Sequence, residues 1–219
     1  MDFAGMIQTW IRVVSSPNEE SFEREQESPN ATLTTALIWT VIAAVVAAVL
    51  GFIQSLLFAS SAQGMLGLIN QMDLPPESEA MFRQMMAGGA FAGLSGAGAF
   101  LGILLSPLFF LIGVGIIHLI AKALRGQGDF GRFAYLAAAI SAPISIVNAF
   151  LGFIPVVGSC VIFLLNIYSL ILFYFAIKVA YQLTSGRAIA VVLIPIVIVI
   201  GLALCIGFAI AAFAVSLNN

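Results

Sequence analysis

The chain has 219 residues, of which 62% are hydrophobic and only 8% charged, with a mean hydropathy of +1.13. A water-soluble domain needs about a quarter charged residues to cover its surface, so lipid must be the main solvent, and the length allows one helical bundle with no second sizeable domain. The net charge of −2 carries no basic footprint for nucleic acid, so no nucleic-acid partner is expected.

In chain order, the first segment lacks the basic start and continuous apolar run of a signal peptide. Phe3, Ile7, Trp10, Ile11 and Val14 recur at helical spacing with Met6 beside them, while Asp2, Gln8 and Arg12 fall elsewhere on the wheel. The pattern predicts an N-terminal interfacial amphipathic helix with Trp10 at the headgroups. A helix packed against a bundle fits it equally well. Pro17 ends this helix, and Glu19 to Glu27 reads as a solvated acidic linker with no chemistry of its own. Residues 1–31 are therefore expected to form a cytoplasmic helix and linker, and residues 32–219 the membrane domain.

About 20 apolar residues cross a bilayer. Five runs qualify, at about 33–58, 100–121, 133–153, 157–180 and 188–215. They are apolar on every face, which excludes the alternating strands of a barrel. The expected fold is all-α, a polytopic membrane protein built as a five-transmembrane-helix bundle. Arg12, Arg24, Lys122, Arg125, Arg132, Lys178 and Arg187 then share one side, and Arg83 alone takes the other. By the positive-inside rule the N-terminus is cytoplasmic and the C-terminus external.

Ser60 to Gly98 is the long external connection. Met81, Phe82, Met85 and Met86 suggest an amphipathic helix there, and the Gly-rich stretch after it leads into the second span as a packing face or a hinge. Cys160 and Cys205 lie inside apolar runs at different depths, so they read as small buried thiols rather than a disulfide.

The third and fourth spans meet at Pro155-Val156-Val157-Gly158, too short for anything but a helical hairpin tip. Folding about that tip places Ser141, Ser145 and Asn148 on one face of the third span, opposite Asn166 and Ser169 on the fourth, with Pro143 able to free a carbonyl nearby. These polar stripes are either interhelical contacts, worth roughly 0.6 kcal/mol per hydrogen bond, or a polar pathway. No charge lies at the centre of a span, which disfavours ion-driven transport. His118, one turn before Lys122, reads as an interfacial anchor. No catalytic triad, phosphate-binding loop or Cys/His metal cluster occurs, so no catalytic residue, cofactor or metal is expected.

The chain resembles the Yip (Ypt/Rab-interacting protein) domain family in its prokaryotic form. Trp10, Pro17 and Phe22 are similar to the family's opening. His118, Gly128 and Phe130 resemble its turn after the second span. Pro143, Pro155, Gly158, Tyr168, Gly186 and Ala188 follow its pattern from the third span to the fifth. The resemblance implies a five-helix integral protein of the prokaryotic cell (inner) membrane. Eukaryotic relatives bind prenylated Rab-type GTPases through an Asp-Leu-Tyr-Gly-Pro element on the cytoplasmic side. Here the only Asp-Leu is Asp73-Leu74-Pro75-Pro76, on the opposite side, which argues against a Rab-type GTPase partner. A non-enzymatic scaffold that binds membrane lipids or other membrane proteins, itself included, is the first expectation. A lipid-scrambling or small-solute pathway lined by Ser141, Ser145, Asn148, Asn166 and Ser169 is the alternative.

Overall fold

A computed structural model describes residues 3–71, 96–154 and 156–217, which contain seven helices and no strand. They are α1 (Phe3–Ser15), α2 (Glu19–Gln26), α3 (Leu33–Gln71), α4 (Gly96–Ala123), α5 (Phe130–Leu151), α6 (Val157–Tyr181) and α7 (Ser185–Leu217). Five of them, α3 to α7, are long and apolar enough to cross a membrane, and the protein is a multi-pass, all-α membrane protein. The Met81–Met86 segment, Asp73-Leu74-Pro75-Pro76, Arg83 and Pro155 lie outside the described residues.

Two boundaries differ from expectation. Residues 19–27 are not a linker: Asn18 caps a helix, its Oδ1 accepting from the Ser21 amide at 2.8 Å, with Glu19 and Glu20 in the first turn where the helix dipole favours anions. The first apolar helix also continues past residue 58 to Gln71; its 39 residues amount to about 58 Å at 1.5 Å each. Gly96, Gly98 and Gly102 are helical within α4.

Cys160 and Cys205 are both exposed, on faces of α6 and α7 that no other described element covers, and not buried as their apolar neighbourhoods suggest. The most enclosed helix is α5. Phe133 to Ile140 is buried without interruption, because Ala134, Ala137, Ala138 and Ala139 let neighbours approach from every side.

The residues group into two compact units. One comprises 1–33, 112–137 and 170–219; the other comprises 34–111 and 138–169. In the first, α4 and α6 end in the same way. Arg125 and Gln182 adopt left-handed conformations (φ 68° and 52°), and each is followed by an amide that reaches back to the helix: Gly126 to the Ala121 carbonyl at 2.8 Å, Leu183 to the Lys178 carbonyl at 3.1 Å. These two caps are tied together by the Gln127 amide, which donates to the Tyr181 carbonyl at 3.0 Å. Gly128 sits so close to the Ala180 carbonyl that any Cβ would overlap it. In the second unit, the α5–α6 turn passes through Val156 at φ 64°, and Gly158 donates to the Ile154 carbonyl at 2.8 Å.

Candidate membrane-interface site

The first unit holds α1 and α2 by a buried carboxylate. Glu25 is 3% exposed. It accepts from Thr9 Oγ1 at 3.2 Å and from the Tyr135 hydroxyl at 3.4 Å, and it pairs with Arg12. One side chain thus joins α1, α2 and α5. Beside it Phe22, fully buried, stacks on Phe175 of α6 with ring centroids 6.3 Å apart, and Lys178 donates to Glu19 at 2.6 Å. A buried charge needs both a counter-ion and hydrogen bonds to be tolerated. Glu25 has both.

With α2 docked in this way, α1 divides its apolar surface. At about 100° per residue its apolar side chains cover an arc of about 180°, wider than one contact needs. Met6, Trp10 and Val13 are buried, whereas Phe3, Ile7 and Ile11 are 62%, 50% and 62% exposed. Trp10 belongs to the packed half of the arc and not to its exposed half. One half of the apolar arc is thus packed against protein and the other half is exposed.

A second cluster surrounds Tyr181, whose side chain is buried. Its hydroxyl lies 2.6 Å from His118 Nδ1, in a hydrogen bond whose donor is set by the imidazole tautomer. Phe130 meets the imidazole edge-on, with centroids 5.3 Å apart, and Phe133 meets the Tyr181 ring at 5.2 Å. His118 and Gly128 therefore both lie against Tyr181, and Phe130 joins the cluster through the imidazole. Ala188 is buried in the same unit, and Gly186 has open space around it.

Of the basic residues in this unit, Arg12, Arg24 and Lys178 are paired, with Glu25, Glu20 (3.1 Å) and Glu19. Lys122, Arg125, Arg132 and Arg187 are exposed and have no ion-pair partner among the described residues.

The second unit contains most of the polar residues predicted from the third and fourth spans. Ser141 and Ser145 of α5 line a recess of about 230 Å³ together with Thr40 of α3 and Ser106 of α4, among Ala43, Ala44, Ala47 and Ala142. Ser145 donates to the Ala142 carbonyl at 2.8 Å, Thr40 to Ala36 at 2.9 Å and Ser106 to Ile103 at 2.9 Å, so these three hydroxyls satisfy their protons within their own helices. Asn148 is half-buried, and its Oδ1 finds no hydrogen-bond partner among the described residues. On α6, Asn166 is exposed and donates to the Ile162 carbonyl at 2.8 Å, while Ser169 donates to the Asn166 carbonyl at 2.7 Å. Pro143 lies inside α5, Tyr168 is half-buried on α6, and Gly158 is buried against the Leu151 carbonyl. Gln54 of α3 donates to the Ala149 carbonyl at 2.6 Å and so satisfies one of the orphan acceptors in the last turn of α5.

Sequence reasoning missed Glu25, Gln54, Thr40, Ser106 and Tyr181. Asn18 and the spacing of Phe22 and Glu25, three residues apart, were the available signals for a docked α2; nothing local marked Tyr135 as the partner. A helical membrane domain with an amphipathic N-terminal helix clamped to it is the class of protein these features define. The profile of the Yip1 domain matches residues 11–207, nine-tenths of the chain, and the protein belongs to that family. Comparison with curated proteins gave no match, and comparison with solved structures gave none.

Proposed function

We propose that this protein is a non-enzymatic scaffold of the prokaryotic cell membrane, with a cytoplasmic N-terminus, that binds lipids or other membrane proteins. The observation that carries the reading is the exposed Phe3, Ile7 and Ile11 face on a helix whose opposite face is locked down through Glu25. A rigidly held apolar ridge suits a membrane interface or the apolar surface of a neighbouring protein. The side of the basic residues supports the orientation. The test places a nitroxide at Ile7→Cys in a Cys160→Ala/Cys205→Ala background, in proteoliposomes. Greater exposure to oxygen than to a water-soluble nickel complex is expected; the reverse would sink the reading.

The recess that Ser141 and Ser145 line favours a second reading, a lipid-scrambling or small-solute pathway whose other expected residues are Asn148, Asn166 and Ser169. Fluorescent-lipid scrambling and release of a trapped solute test it. Protein-dependent flux lost in Asn148→Ala/Asn166→Ala, with the fold intact, would favour the pathway; flux no greater than in empty liposomes supports the scaffold.

A further inference from the structure

We propose that the rim formed by Lys122, Arg125, Arg132 and Arg187 is a binding site for the phosphate of anionic phospholipids, which deepens the lipid-binding reading above and rests on it. The argument begins with which cations are already used. The carboxylates of α2 neutralise Arg12, Arg24 and Lys178. The remaining four basic residues of this unit are exposed and have no ion-pair partner among the described residues.

The backbone ties together or joins in sequence the helix ends that carry these four. Lys122 ends α4, Arg125 follows it in the left-handed cap, and Arg132 opens α5. The loop between them is tied to the end of α6 by the Gln127 to Tyr181 hydrogen bond and by Gly128 against Ala180. Arg187, in the first turn of α7, is six residues beyond Tyr181. Asp129 is the carboxylate within this rim, and its Oδ2 accepts from the Arg132 backbone amide at 3.0 Å, so the guanidinium remains free to bind an anion. Glu23 on α2 and Glu27 at its C-terminal cap stay exposed. The rim keeps a net positive charge at the ends of three membrane-crossing helices, where lipid phosphates lie.

Three of the four are arginine, whose planar fork binds phosphate bidentately. A basic residue near an anionic surface contributes roughly a fivefold gain in binding, and salt screens it within about 10 Å at 0.1 M. The exposed apolar face of α1 in the same unit adds the second signal that stable interfacial binding needs.

The experiment uses the full chain in a neutral detergent and measures retention of added phosphatidylglycerol against phosphatidylcholine by native mass spectrometry, with thermal stabilisation as the parallel readout. Wild type is expected to prefer phosphatidylglycerol by about tenfold or more, with the preference collapsing in 1 M salt. Lys122→Gln/Arg125→Gln/Arg132→Gln/Arg187→Gln should lose the preference while its melting temperature in phosphatidylcholine stays unchanged. Arg125→Lys/Arg132→Lys/Arg187→Lys, which keeps the charge, should retain part of it, and this arm together with the salt titration decides the matter if the neutral variant misfolds. Equal retention of both lipids by wild type would overturn the rim proposal while leaving lipid binding standing; retention of neither would overturn both. Displacement of the lipid by inorganic phosphate, beyond the effect of chloride at equal ionic strength, would make this a soluble-anion site and overturn the lipid assignment.

Discussion

Replacing Arg12 by Ala should destabilise the α1–α2 docking more than replacing Glu25 by Gln, although the two form one ion pair. The Arg12 side chain is 42% exposed and that of Glu25 only 4%. When Glu25 becomes Gln, the guanidinium rehydrates from its open side, and the amide oxygen still accepts from Tyr135. The loss is one charge-assisted bond, about 2 kcal/mol. When Arg12 becomes Ala, a carboxylate stays buried with only the neutral Thr9 and Tyr135 donors, and removing one partner of a buried pair costs about 3–5 kcal/mol. Partial access of water through the vacated site pulls the figure toward the lower end. Arg12→Ala/Glu25→Gln should then recover part of the loss, because the second change removes the stranded charge, a non-additivity that a double-mutant cycle measures. The assay is hydrogen exchange of the α1 and α2 amides in detergent, since these helices can open without unfolding the spans. Equal penalties for the two single variants, or strict additivity in the double, would refute the reasoning.

Three further outcomes follow from local geometry. Gly128→Ala forces a methyl group into the Ala180 carbonyl and should lower stability by about 1–3 kcal/mol, read as a fall in melting temperature. Val156→Gly should raise stability by up to about 1 kcal/mol, because a 77% exposed β-branched residue at φ 64° gains little from packing and is strained in the left-handed region; no change would show the turn to be relaxed. Gln54→Leu strips the Ala149 carbonyl of its donor and should cost about 1 kcal/mol by thermal denaturation, with faster exchange at the end of α5.

The spans are legible because hydropathy over twenty residues is a local, summed quantity; it places four of the five helices within a few residues and the start of the other, α3, whose end at Gln71 it misses. The α5–α6 hairpin was legible for the same reason: its turn is only a few residues long. Glu25 was not, because five glutamates between residues 19 and 27 look alike until a tyrosine 110 positions away selects one of them. The hydroxyls show a subtler limit. Helical spacing put Ser141 and Ser145 together correctly, but their recess is completed by Thr40 and Ser106, from helices whose rotation about their own axes no periodicity reports when every face is apolar. The thiols failed in the same way: an apolar stretch facing lipid has the composition of one facing protein.

The clamp on α1 and α2 also sets an order of events in time. Glu19 and Lys178 are 159 residues apart, and Glu25 and Tyr135 are 110 apart. At a synthesis rate of about 5–20 residues per second, the N-terminal pair leaves the ribosome roughly 8–30 s before the last of its partners exists. During that interval both halves of the apolar arc of α1 are open, the half that will be buried as well as the half that stays exposed. The nearest apolar surface is the membrane into which α3 is already inserting. The clamp therefore closes only once α6 is complete, so the docked α1–α2 pair is one of the last pieces of this unit to be secured although it is the first to be made.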